Sequence, residues 1–200
     1  MNYIELSKKK LENISITLAV QISKDYIPDC VFFIARGGLL IGQVISDHFS
    51  CSLYSVKAFR KGGRLKRVAS KFLKYVPKNI KRKMREREMN SAIHEHHVER
   101  HVKLLEIVPT TCSRILVVDD SVDTGASVFQ VKELLMQHFD GAEVRIAAIN
   151  VFTKSEKTIH TDYFIYKDTM IMTPASADSS EHEEFLHLWN NYAKQRAISI

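Results

Sequence analysis

A chain of 200 residues, 45% hydrophobic and with a formal net charge of +6, is long enough for one full core and short for two, so a single domain with a large excursion is expected. Neither a charged-then-apolar leader nor an apolar run long enough to cross a bilayer is present, which predicts a cytoplasmic protein with no membrane contact. The cysteines Cys30, Cys51 and Cys112 form no CxxC pair and leave an odd thiol, a pattern that fits small buried side chains in a reducing compartment better than a disulfide framework.

Apolar residues recur at helical spacing through Ile4, Leu11, Ile14, Leu18 and Ile22, predicting an N-terminal helix that ends near Pro28. Val31 to Ala35 is a continuous apolar run, too short for a helix and bounded by Pro28 and Gly37-Gly38; it suits a strand buried on both faces. A helix with Leu40, Ile41, Val44, Ile45 and Phe49 follows, then a short strand over Leu53 to Val56. From Lys57 to about His101 the pattern shows little strand character. Fourteen Lys or Arg stand against two Glu between Lys57 and Asn90, about +12, so the remainder of the chain sums to about −6. Such a block attracts polyanions, a nucleotide, a pyrophosphate or nucleic acid among them, and its plainer alternative is a solvated helix pair that aids solubility.

Ile115 to Val118 is the clearest strand. A helix bearing Val128, Val131, Leu134 and Leu135 starts after Gly125 and is closed by Gly141; strands over Val144–Phe152, Tyr163–Tyr166 and Met170–Met172 come next. The last element, Glu181 to about Gln195, is amphipathic through Phe185, Leu188, Trp189 and Tyr192, with Phe185 and Trp189 expected in the core. Strands alternating with helices predict an α/β fold, a mainly parallel twisted sheet with helices on both faces. Sites in such sheets lie at the carboxyl ends of the strands, which singles out the turns after Ala35 and Val118.

The segment Ile115-Leu-Val-Val-Asp-Asp-Ser-Val-Asp-Thr-Gly-Ala-Ser127 carries the chemistry. Asp119 and Asp120 leave a wholly apolar strand together, and adjacent like charges there are costly unless a cation or hydroxyl donors share them. A sugar diol, with or without a bridging magnesium ion, satisfies both. Thr124-Gly125-Ala126-Ser127 then opens a helix, where small residues let a phosphate approach unpaired amides and the positive end of the dipole. One turn thus offers diol acceptors at one end and a phosphate cradle at the other. Simple capping by Asp123 or Ser121 would need neither the carboxylate pair nor the glycine.

This segment closely resembles the phosphoribosyl pyrophosphate motif of type I phosphoribosyltransferases, an apolar strand followed by Asp-Asp-x-x-Asp-Thr-Gly-x-Ser/Thr. The resemblance implies that this family's fold, with a small hood over residues 153–180, makes up the single domain; where family members carry a mobile loop, this chain departs from them with a long basic insertion at 57–101, expected to be helical in part. It implies that Asp119 and Asp120 bind the ribose hydroxyls and hold Mg2+ directly or through water. The stretch Ser121, Val122, Asp123, Thr124, Gly125, Ala126 and Ser127 would embrace the ribose and 5-phosphate. Asp123 would act as general base toward a nucleobase.

A second turn, Val31-Phe-Phe-Ile-Ala-Arg-Gly-Gly-Leu39, looks like the pyrophosphate loop of the same family, its Arg-Gly-Gly-Leu closest to the xanthine-guanine branch. There Ala35, Arg36, Gly37 and Gly38 would bind pyrophosphate, with Arg36 stabilising the leaving group. A third stretch, Asn150-Val-Phe-Thr-Lys154 with Asp168-Thr-Met-Ile-Met-Thr-Pro174, is similar in layout to the purine-binding end, implying base contacts from Lys154, Met170 and Ile171. The branch usually has a tryptophan at the place of Met170, and a thioether covers a base face more loosely.

The resemblance spans roughly 30–56 and 103–176. Its implied reaction is transfer of phosphoribose from phosphoribosyl pyrophosphate to a nucleobase, with purine salvage the leading expectation. A regulatory or RNA-binding protein on the same fold, with polyanion contact through 57–90, and transfer to a non-purine acceptor remain the alternatives. The family tendency implies a homodimer. In the insertion, His94, His96, His97 and His101 are candidate metal ligands, with a solvated helix as the preferred alternative.

Overall fold

The computed structural model describes residues 2–60 and 100–198. In chain order the elements are β1 (Asn2–Glu5), α1 (Lys8–Ile22), β2 (Cys30–Ile34), α2 (Leu39–Phe49), β3 (Ser52–Arg60), β4 (Arg100–Leu104), β5 (Arg114–Val122), α3 (Ala126–His138), β6 (Glu143–Val151), a 3-10 turn (Thr153–Lys157), β7 (Tyr163–Lys167), β8 (Thr169–Met172) and α4 (His182–Gln195). Six strands form one sheet in the order β4-β3-β2-β5-β6-β7, parallel throughout except for the β3–β4 pair. This is the doubly covered α/β architecture expected from the sequence.

The strict alternation of two cores across the sheet explains why its strands read as unbroken apolar runs. Val31 and Phe33 of β2, Leu116 and Val118 of β5, and Ala147 and Ile149 of β6 face the side covered by α1, α2 and α4. Phe32, Ile115, Val117, Ile146 and Ala148 face the opposite side, where α3 brings Val128, Val131 and Leu135. Phe185 and Trp189 lie in the first core, as anticipated from the period of the last helix.

Three sequence expectations need correction. Ile4 belongs to β1 rather than to the first helix: β1 pairs in parallel with β8 in a separate two-stranded sheet, Ile4 opposite Ile171. The helix begins only after Ser7, whose hydroxyl accepts from the Lys10 amide. The second correction concerns the ends of the insertion, which are strand. β3 continues through Lys57–Arg60 and pairs antiparallel with β4, Ala58 opposite Val102 and Phe59 opposite His101. Ala58 and Val102 pack on the second core. Pairing across some forty intervening residues leaves no local signature at either end.

The third correction is that Cys30 and Cys112 form a disulfide, their Cα atoms 6.8 Å apart, while Cys51 is free. Asp29 accepts from the Ser113 and Arg114 amides and from the Arg114 guanidinium, and this clamp sets the segment before β5 against the start of β2. The pairing removes the ground on which a reducing compartment was inferred. No helix among the described residues is long and apolar enough to cross a membrane. The greater part of the basic block, and His94, His96 and His97, lie outside the described residues.

Candidate active site

The site is built where β5 ends. Ile115–Val118 are completely buried, and the strand runs on to Val122, so Asp119 and Asp120 emerge half-buried at the carboxyl edge of the sheet. The Asp120 amide donates to Asp119 Oδ1 at 2.9 Å, and Thr173 Oγ1 donates to Asp120 Oδ2 at 3.1 Å. Burial holds the Asp119 carboxyl well above the ordinary carboxylate range, and the charges of Asp120 and Asp123 push the same way. Burial also raises Asp120, against the opposing hydrogen bond from Thr173. These carboxylates are therefore short of compensation from the protein itself.

Beyond them the chain turns at Gly125, whose φ of 78° lies in the left-handed region, and enters α3 with no side-chain cap. A Cβ at Gly125 would sit 2.8 Å from Ile159 Cγ2 and 3.3 Å from the Ser155 carbonyl, so the 3-10 turn and the residues after it are packed onto the helix start. Asp119 and the residues from Ser121 to Val128 line a cavity of about 110 Å³ at this helix end. The Ala126 amide donates to Thr124 Oγ1 at 3.5 Å, and the other amides of the first turn, the macrodipole and the Thr124 and Ser127 hydroxyls make a donor set matched to a tetrahedral oxyanion.

The turn after β2 meets the one after β5 directly. A Cβ on Gly37 would lie 2.6 Å from Asp120 Oδ1, and one on Gly38 would lie 2.6 Å from the Val118 carbonyl oxygen. Both glycines are thus required by close approach. The Ala35–Arg36 peptide is cis, the Ala35 amide donates to the Val56 carbonyl, and Arg36 is exposed. Gly38 precedes α2, another helix start without a side-chain cap.

The remaining candidates are spread around this centre. Asp123 is exposed and accepts from Ser121 Oγ at 3.0 Å, while Val122 is buried beneath it. Lys154 lies in the 3-10 turn with its Nζ 5.7 Å from the centre of the Phe152 ring. Met170 is buried and Ile171 half-buried in β8, both paired to β1. Lys154, Met170 and Ile171 do not line the 110 Å³ cavity. His101 is in β4 with its ring tilted on Phe59, and no group of three or more His, Cys, Asp or Glu suited to a metal occurs among the described residues.

Sequence reasoning missed Thr173, which reaches Asp120, and Asn150, which is fully buried in β6 and hydrogen-bonded to Ser121. Asn150 carried a signal, an amide inside the apolar run Ile146–Phe152. Thr173 carried none, because its partner is 53 residues away.

The profile of the phosphoribosyl transferase domain matches residues 5–174. Among solved structures, xanthine-guanine-hypoxanthine phosphoribosyltransferase from Helicobacter pylori superposes with a TM-score of 0.63 at 16% identity, covering 92% of this chain and 98% of its own. Purine phosphoribosyltransferase from Pyrococcus horikoshii gives 0.61 at 18% identity over 90% and 97%. A hypothetical protein from Neisseria gonorrhoeae with bound ppGpp gives 0.58 at 19% identity over 96% and 97%. At these identities the likeness carries the fold alone. No curated protein matches the sequence. With its motif on the carboxyl edge of a parallel sheet, and with most of its length matched by the profile, the chain belongs to the phosphoribosyl transferase domain family, a family of phosphoribosyl-transferring enzymes.

Proposed function

We propose that this protein transfers phosphoribose from phosphoribosyl pyrophosphate to a nucleobase, a purine by preference, with release of pyrophosphate. The observation that carries the reading is the cavity at the start of α3, with the Asp119 carboxylate, raised by burial, in its lining. In this reading the amides and hydroxyls from Thr124 to Ser127 hold the 5-phosphate, and Asp119 and Asp120 accept from the ribose hydroxyls. Anchoring the remote phosphate aligns the anomeric carbon, so binding energy far from the reacting atoms lowers the barrier. Arg36 and the backbone of Ala35, Gly37 and Gly38 receive the leaving pyrophosphate. Asp123, exposed at the mouth, takes the proton from the base nitrogen. Lys154, Met170 and Ile171, with the rest of residues 153–180, form a hood for the base.

Magnesium fits the carboxylates present: hard oxygen donors, raised by burial, with no group of three or more ligating side chains among the described residues to make a closed cage. Asp119 and Asp120 would hold it, directly or through water, sharing it with substrate oxygens; it would supply charge neutralisation for the leaving pyrophosphate.

The test is pyrophosphate release with magnesium and phosphoribosyl pyrophosphate against a panel of nucleobases. Turnover with hypoxanthine, guanine or xanthine supports the reading. A protein that binds phosphoribosyl pyrophosphate but turns over no base is not a salvage enzyme. One observation favours a second reading: the Neisseria gonorrhoeae structure, alike over 96% of this chain, has ppGpp bound. A regulatory protein would bind ppGpp without turnover, and salt-sensitive RNA binding lost on deleting residues 60–90 would assign the basic block to that role.

A further inference from the structure

We propose that Asn150 is a positioning residue which, through Ser121, fixes the orientation of the Asp123 carboxylate and links it to the strand carrying Met170 and Ile171. The inference rests on the reading of Asp123 as the group that receives the proton of the incoming base. Asn150 is completely buried in β6, between Ile149 and Val151, in a position where an aliphatic side chain would pack without any polar penalty. Its register partner in β5 is Ser121.

The direction of its hydrogen bonds follows from donor chemistry. The Thr169 amide, 3.2 Å away, can only donate, so the carbonyl oxygen of Asn150 faces β8. The amide nitrogen is then turned to Ser121 Oγ at 3.4 Å, and because it too can only donate, Ser121 must accept. The one hydrogen of the Ser121 hydroxyl is left for Asp123 Oδ1, at 3.0 Å. Donation runs one way from the Thr169 amide to the carboxylate. Oδ1 is thereby engaged, Oδ2 is left for the base, and the plane of the carboxylate is tied to the start of β8.

Three variants and two readouts test this. Ser121→Ala and Asn150→Leu each lower kcat about tenfold, and in Asn150→Leu, which lies outside the phosphate cavity, the KM for phosphoribosyl pyrophosphate stays within about twofold, because the interaction serves the transition state. The double variant loses about tenfold rather than about a hundredfold, because both changes cut one chain. Multiplying effects, or a rise in both KM values together with a fall in Tm, overturn the proposal. If Asn150→Leu does not fold, the kcat of Ser121→Ala and the Asn150 resonances in that variant decide the proposal.

Asp123→Asn separates the two levels. Wild-type kcat in Asp123→Asn removes the proton-acceptor reading, whereas loss there with full activity in Asn150→Leu removes the relay alone. NMR of the Asn150 side-chain amide reads the relay without turnover: Ser121→Ala and Asp123→Asn each shift its NH2 resonances. Resonances unmoved by Ser121→Ala overturn it.

Discussion

Among the described residues, Glu106 and the Asp119–Asp120 pair both withdraw carboxylates from water, and they are solved in opposite ways. Glu106, its side chain only 4% exposed, accepts from the Ser55 amide and hydroxyl at 2.7 Å each, from Tyr192 at 3.0 Å and from Arg196 at 3.1 Å. Three donors answer Oε1 and the Arg196 guanidinium answers Oε2, and the result is a bolt holding α4 to β3. Asp119 and Asp120 receive the Asp120 amide and the Thr173 hydroxyl, stand next to each other, and are both driven toward the neutral form by burial. A structural carboxylate is saturated by its own chain. One kept for a ligand is left with unanswered valence.

The largest expected effect comes from removing the unanswered pair. Asp119→Asn with Asp120→Asn lowers kcat/KM for phosphoribosyl pyrophosphate by about a thousandfold or more, several hydrogen bonds to charge being lost at once. Steady-state pyrophosphate release measures it, and Tm holds or rises because buried like charges have gone. Glu106→Ala is the inverse experiment. It leaves the buried Ser55 amide and hydroxyl without this acceptor and releases Tyr192 and Arg196, costs about 3 kcal/mol in denaturant unfolding, and leaves the KM for phosphoribosyl pyrophosphate unaltered. A fall in Tm for the aspartate variant, or a changed KM for the glutamate one, erases the distinction.

A smaller effect tests how the two turns fit. In Gly37→Ala the new Cβ would stand 2.6 Å from Asp120 Oδ1, so Asp120 or the turn after β2 must give way. KM for phosphoribosyl pyrophosphate rises about tenfold, while stability falls by no more than about 2 kcal/mol. An unchanged KM would mean that the turn moves and that Asp120 does not depend on its contact.

What was legible in the sequence follows the same division between local and distant. Asp119 to Ser127 form one continuous segment, and the functions ascribed to them need only a strand end and a helix start, both of which neighbouring residues specify. The β2 and β5 strands were legible because central strands bury both faces and so read as plain apolar runs. What could not be read depends on partners far away in the chain. Cys112 meets Cys30 because β2 and β5 pair with Cys30 opposite Ile115, with Asp29 clamping the Arg114 amide and guanidinium beside them. Ile4 has helical spacing to Leu11 but pairs with Ile171, a partner that no window around residue 4 contains. Gly37 announces a turn, yet its contact with Asp120 becomes visible only once β2 and β5 lie side by side.

The least of the expected effects, in stability alone, decides whether Asp119 and Asp120 really lack compensation. Their folded-state values stand above the model-compound value of 3.8 because burial opposes the charge. A raised carboxyl contributes stability that is full below the unfolded value and is lost as pH rises through the folded one. The ligand-free protein should therefore gain stability relative to Asp119→Asn/Asp120→Asn as pH falls through the raised folded-state values. Asp25, Asp29 and Asp168 are lowered and lose their contribution on acidification, but they are common to both proteins and cancel in the difference. With magnesium and phosphoribosyl pyrophosphate bound, the ionised pair is compensated and that difference should flatten or reverse sign. A difference already flat without ligand would mean that the pair is satisfied from within, as Glu106 is.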